Sequence, residues 1–155
     1  MSLTNQVANV YGAGLRNVGS YQVSGTPWVT GSNGSLTYLT NNQIVRFQFP
    51  FITKSLTVIN TGANDLRLHF QSGSGVTTAT NDGDLASSAG NSDVMSGHHY
   101  ITVPANRGSV TMDVKCKEIY LSNHSGGNTG YEIFAELTQI GTTRMYELTG
   151  SGITE

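Results

Sequence analysis

The sequence predicts an all-β fold, an antiparallel β-sandwich arranged as a single jelly roll, and three observations carry that prediction. The first is an apolar and polar alternation stated twice: Phe47, Phe49, Phe51, then Lys54, Leu56, Val58 and Asn60, and again Val110, Met112, Val114, then Lys117, Ile119, Leu121 and Asn123. Period-two alternation puts every second side chain on one face, the mark of a half-buried strand. Each copy runs into a Gly-containing turn, Thr61-Gly62-Ala63-Asn64 or His124-Ser125-Gly126-Gly127-Asn128, and then into a third alternating segment, led by Leu66 or by Tyr131. The second observation is that such segments recur at short intervals with turn residues between them, as in sandwiches and jelly rolls. The third is composition: charged residues are 12% of the chain against about 25% in ordinary soluble domains. Neutral Gly, Ser, Thr and Asn must then cover the surface, a composition common in secreted, virion and cell-surface β proteins.

The elements follow in order. Residues 1–25 carry one charge, Arg16, and apolar side chains broken by Gly12, Gly14, Gly19 and Gly25. Glycines so placed would end any helix early, so this stretch is expected to be an extended arm. Its Leu3, Val7, Val10, Tyr11, Leu15 and Tyr21 need burial. They are the candidate assembly residues, on a neighbouring subunit or on the edge of their own domain. Residues 26–155 form the sandwich domain, a length that suits one core. Strands are expected around Trp28-Val29, Leu36 to Leu39, Ile44 to Phe49, Lys54 to Ile59, Leu66 to Phe70, Tyr100 to Val103, Val110 to Val114, Ile119 to Ser122, Tyr131 to Leu137 and Arg144 to Leu148. Pro27, Pro50 and Pro104 all fall at strand ends, where a missing N–H does little harm. The doubled pattern suits a double Greek key, whether it arose by duplication or from the alternation any two half-buried strands share.

Gln71 to Gly97 interrupts the short spacing with a long stretch of small polar residues whose only charges are Asp82, Asp84 and Asp93. Loops of that length in a compact domain are either solvated surface or a contact element. These three aspartates are the candidate contact-loop residues.

Several functions are disfavoured. Net charge is −2 and the only basic cluster is the Lys115, Lys117 pair, whereas phosphate binding needs several cations on one face. Nucleic acid is not an expected partner. Cys116 is the only cysteine, which excludes an intrachain disulfide; its two lysine neighbours would favour a thiolate, and a small residue at a strand break is the plainer account. No basic region followed by an apolar run opens the chain and no segment approaches a membrane span. A product made in the cytoplasm, with no membrane partner, is therefore expected.

Residue chemistry offers little for catalysis or cofactors. His69 alternates with Leu68 and Phe70 and is expected to face outward, while His98, His99 and His124 show no metal-ligand spacing. Asn81-Asp82-Gly83-Asp84 resembles a calcium loop but lacks the later Glu of that pattern, and turn formation explains the Asp-Gly pair. No serine sits on a strand-to-helix elbow. Glu132 and Glu136 share one strand face about 13 Å apart, too far for a carboxylate pair. No catalytic residue, metal or cofactor is expected. Carbohydrate-binding sandwiches use exposed rings as stacking platforms. Trp28 is the single tryptophan, and Tyr38, Tyr100, Tyr120, Tyr131 and Tyr146 fall in expected strands, where core or interface is the plainer account of most of them. A carbohydrate-binding, lectin-like module with a glycan partner is the alternative reading.

The opening from Met1 to Val29 and the run Phe49-Pro50-Phe51-Ile52-Thr53-Lys54-Ser55-Leu56-Thr57-Val58-Ile59-Asn60 resemble small single-domain β virion proteins of phages and large DNA viruses. That resemblance implies a minor capsid, vertex or decoration component. Its partners would be copies of itself and other capsid proteins, and its place the virion, made in the host cytoplasm.

Overall fold

In the computed structural model, residues 14–32, 38–70 and 100–147 are described. Eight strands carry the alternating segments: β1 (Thr26–Gly31), β2 (Gln43–Gln48), β3 (Phe51–Asn60), β4 (Leu66–His69), β5 (Ile101–Val103), β6 (Ser109–Met112), β7 (Glu118–Asn123) and β8 (Tyr131–Gly141). They form two four-stranded antiparallel sheets, ordered β1-β8-β3-β6 and β2-β7-β4-β5. The chain is an all-β sandwich. Its pairs nest from the outside in, β1 with β8, β2 with β7, β3 with β6 and β4 with β5. Successive strands alternate between the sheets from β1 to β4 and again from β5 to β8, as if a long hairpin had been rolled up.

The inward faces build one core. Phe47, Leu56, Val58, Leu66, Leu68, Ile119, Leu121, Tyr131 and Ile133 are all buried in it. Phe47 meets Tyr131 edge to face at 5.2 Å between centroids, and Trp28 meets Phe49 likewise at 4.9 Å. Edge-to-face geometry aligns the positive ring edge with the negative face and adds about 0.5–1.5 kcal/mol to the area buried.

Three sequence expectations are corrected. Phe51 continues the alternation of Phe47 and Phe49, yet it is 42% exposed and Ile52 is buried in its place. Pro50 ends β2, the chain crosses to the other sheet, and register shifts between Phe51 and Ser55 reset the parity. Arg144 to Leu148 is not a strand over its described part. β8 runs on to Gly141 and a 3-10 turn, Thr142–Arg144, follows. The arm is not simply extended, since Gly19–Gln22 form one α-helical turn, α1. Of the strand expected at Leu36 to Leu39, residues 36 and 37 lie outside the described residues, and Leu39 forms an isolated bridge with Thr129.

The connections from odd to even strands meet at one end. Thr61 N–H donates to Gly130 O at 3.0 Å and Asn106 N–H to Gly62 O at 2.8 Å. The doubled sequence pattern has its physical meaning here. Asn60, closing β3, accepts from Gly62 N–H and donates to Asn64 O and Val103 O. Asn123, closing β7, accepts from Ser125 N–H and donates to Gly127 O and Leu39 O. Each amide therefore bonds the backbone two and four residues on and ties the turn to a neighbouring connection, which is why both are fully buried. Gly62 is required by close approach, because a Cβ there would lie 2.2 Å from Thr129 Oγ1 and 2.7 Å from Thr129 Cα.

At the opposite end the β2–β3 and β6–β7 connections meet, with Phe49 N–H donating to Lys117 O at 2.9 Å. A second small cluster sits apart from the main core: Ile52, Ile140 and Met145, with Leu15 and Tyr21 packed against it.

Candidate functional site

The outward face of β1-β8-β3-β6 carries an exposed apolar pair on a regular four-stranded surface. Alternation directs Glu132, Phe134 and Glu136 of β8 outward, beside Pro27, Val29 and Gly31 of β1 and Ser55, Thr57 and Ile59 of β3. Val29 and Phe134 are directly opposed across the β1–β8 ladder, and they are 70% and 40% exposed. With Ile59 they line a shallow groove. Such a cross-strand pair stabilises the sheet by only about 0.2–1 kcal/mol. Covering what remains exposed of either side chain would contribute on the order of 1 kcal/mol more, because part of each is already buried.

The polar groups on this face are largely satisfied locally. Ser55 Oγ donates to Glu136 Oε2 at 2.9 Å, Thr57 and Thr111 share a 3.0 Å hydroxyl bond, and Glu132 lies 3.9 Å from Arg107 Nη1. Few free charges would have to be desolvated if the face were covered. Sequence reading placed Glu132 and Glu136 on a solvated face. The residue it passed over, Phe134, lies between them with the same parity, and that parity was the available signal.

The outward face of the other sheet holds a polar chain. Tyr120 Oη donates to Glu118 Oε1 at 3.0 Å, and Arg46 Nη1 approaches Glu118 Oε2 at 3.7 Å. Burial, and next the Glu118 charge, push the Tyr120 phenol up to about 12. His69, expected to face outward, lies on this side but is only 1% exposed. Its ring stacks on Tyr120 at 5.6 Å and its Nε2 is 3.1 Å from Ser122 Oγ. Sheet parity says which side a residue takes, and covering by other groups decides whether solvent reaches it.

Cys116 is buried and hydrogen-bonded to Thr53, whose Oγ1 is 3.2 Å from the sulfur. Burial pushes the thiol up from 9.0 to about 11, so its lysine neighbours do not make it a thiolate. The unfolded chain ionises first as pH rises. The stabilisation is complete below pH 9 and is lost by about pH 11, an expected fall of about 2–3 kcal/mol. Urea midpoints at pH 8, 10 and 11 should show the fall, and Cys116→Ala should reduce it, most clearly between pH 8 and 10, since above pH 10 the raised Tyr120 phenol adds a loss of its own; a variant with the wild-type pH slope would refute this assignment.

The remaining candidates divide by position. Leu15 and Tyr21 pack on their own domain, and Tyr21 Oη donates to Leu15 O at 2.9 Å. Leu3, Val7, Val10 and Tyr11, and the loop aspartates Asp82, Asp84 and Asp93, lie outside the described residues, as do His98 and His99. His124 is bonded to Asn42 Oδ1 at 2.8 Å. Among the described residues no group of three or more His, Cys, Asp or Glu side chains is placed to hold a metal ion, and no helix is long and apolar enough to cross a membrane. Comparison with family models, curated proteins and solved structures finds no match to this chain.

Proposed function

We propose that this protein is a non-enzymatic structural subunit of a virion, a minor capsid, vertex or decoration component that assembles with copies of itself and with other capsid proteins. The nested strand order supports reading the sandwich as a single jelly roll, an architecture shared by viral capsid and lectin domains. The observation that carries the proposal is the exposed Val29 and Phe134 pair on a face with few unpaired charges. Its occupant is a second copy of this chain, because Arg107 and Glu132, an exposed ion pair at one end of the strands, give the face both signs and so allow it to meet itself.

Size sets a limit on that contact. Four strands about 4.8 Å apart, over roughly six residues of about 3.3 Å, cover on the order of 300–400 Å². A stable interface takes about 800 Å² from each partner. The rest has to come from elsewhere, and the uncharged N-terminal segment with Leu3, Val7, Val10 and Tyr11 has the composition to supply it.

Light scattering on the purified protein tests this. Wild type is expected to associate at micromolar concentration. Phe134→Asp should weaken association at least about tenfold, or about 1.4 kcal/mol, and removing residues 2–13 should do the same while sparing Leu15 and Tyr21. Both variants should keep the wild-type circular dichroism. A wild type that stays monomeric and free of particles in electron microscopy of its source would defeat the proposal.

A further inference from the structure

A cleft of about 660 Å³ opens where the ends of β2 and β7 face the chain that follows β8. That volume lies within the range of small-ligand sites, about 300–1,000 Å³. The charged side chains around it are already committed to one another: Arg46 with Glu118, and Lys117 Nζ donating to Glu147 Oε1. The described lining therefore carries two cations and two carboxylates, with no net charge among them to attract an ion of either sign. Among the described lining residues, the neutral side chains without a hydrogen bond are the Gln48 amide and the Thr142 and Thr143 hydroxyls. On the same wall, Arg46 Nε is shielded from water and has no hydrogen-bond partner.

We infer that this cleft binds a short neutral oligosaccharide. An anion would meet both carboxylates and a cation both basic groups, and either would have to break an existing pair. An apolar ligand would strand the amide and the hydroxyls, at roughly 1–3 kcal/mol for each group left unpaired. A polyhydroxyl ligand matches what remains, because every sugar hydroxyl both donates and accepts, as do the Gln48 amide and the threonine hydroxyls. The exposed ring of Pro50 in the lining suits the apolar face of a sugar ring. This site is separate from the outward face of β1-β8-β3-β6, and its occupancy does not depend on the assembly proposed above.

The test is a titration of the full chain with maltotriose, cellotriose, chitotriose and mannotriose, with sialyllactose as the anionic comparison, followed by amide chemical shifts. At least one neutral trisaccharide should give saturable shifts confined to residues 46–50, 117–118 and 142–147. The double variant Gln48→Ala, Thr143→Val should bind that sugar at least about tenfold more weakly, with an unchanged melting temperature. The inference is overturned if no neutral sugar saturates by about 20 mM, well beyond a millimolar Kd. It is also overturned if the shifts map elsewhere, if sialyllactose is preferred, or if the double variant binds as wild type does.

Discussion

Asn60→Ala and Asn123→Ala are each expected to lower folding stability by about 3–4 kcal/mol, although neither residue contributes to the apolar core. Asn60 makes four hydrogen bonds: to Asn64 O at 2.7 Å and Val103 O at 3.1 Å, and from Gly62 N–H and Thr129 Oγ1, both at 2.9 Å. Asn123 makes four as well: to Leu39 O at 2.9 Å and Gly127 O at 2.6 Å, and from the N–H and Oγ of Ser125. Alanine removes all four at a fully buried position. The bonds to Val103 O, Leu39 O and Thr129 Oγ1 are buried, so those partners are stranded at about 1–3 kcal/mol each, while the half-buried or exposed partners in the turns are regained by water. The melting temperature should fall by roughly 10 °C. The two turns are joined through Thr129 and through Asn64 Nδ2, which donates to Asn128 O at 3.0 Å. The double variant is therefore expected to lose less than the sum of the single losses. Urea unfolding of the three variants checks both points; a loss below about 1 kcal/mol in either single variant would show that the turns hold without the amides.

The second large effect is expected at Phe47. Its ring lies between the sheets with no exposed surface and meets Tyr131 edge to face. Phe47→Ala should cost about 3–5 kcal/mol, from lost burial together with the cavity left in a packed interior. Phe51→Ala, two alternations further along, should cost under about 1 kcal/mol because its ring is 42% exposed. Equilibrium denaturation of the pair is a direct measure of the parity change after Pro50. Similar losses in both would mean that the alternation continues unbroken and that the register shifts in β3 are misplaced.

Much of the architecture was legible in the chain because its signals are local. Alternation in Leu56, Val58 and Asn60 and in Ile119, Leu121 and Asn123 needs only neighbouring residues to be recognised, and it located β3 and β7. The turn residues after each Asn marked the strand ends for the same reason. The Arg144 to Leu148 segment misled because Met145 and Tyr146 imitate a short strand. Met145 instead closes the small cluster with Ile52 and Ile140, so packing overrode the local pattern. Of the candidate surfaces, the outward direction of Phe134 was readable from Glu132 and Glu136, but its pairing with Val29 was not. Those residues lie far apart in sequence and meet only through the β1–β8 ladder.

The sequence by itself determined the class of this protein: short antiparallel strands, buried alternation, uncharged turns and a neutral polar surface, each a property of a few consecutive residues. Only the tertiary structure decided which strands pair, where the chain crosses between sheets, and which residues of one parity are covered. It buried His69, turned Phe51 outward and placed Gln48 beside Thr142 and Thr143. The physical reason is that a period of two specifies the side of a strand a residue occupies, whereas exposure and proximity depend on what the rest of the chain lays against that side.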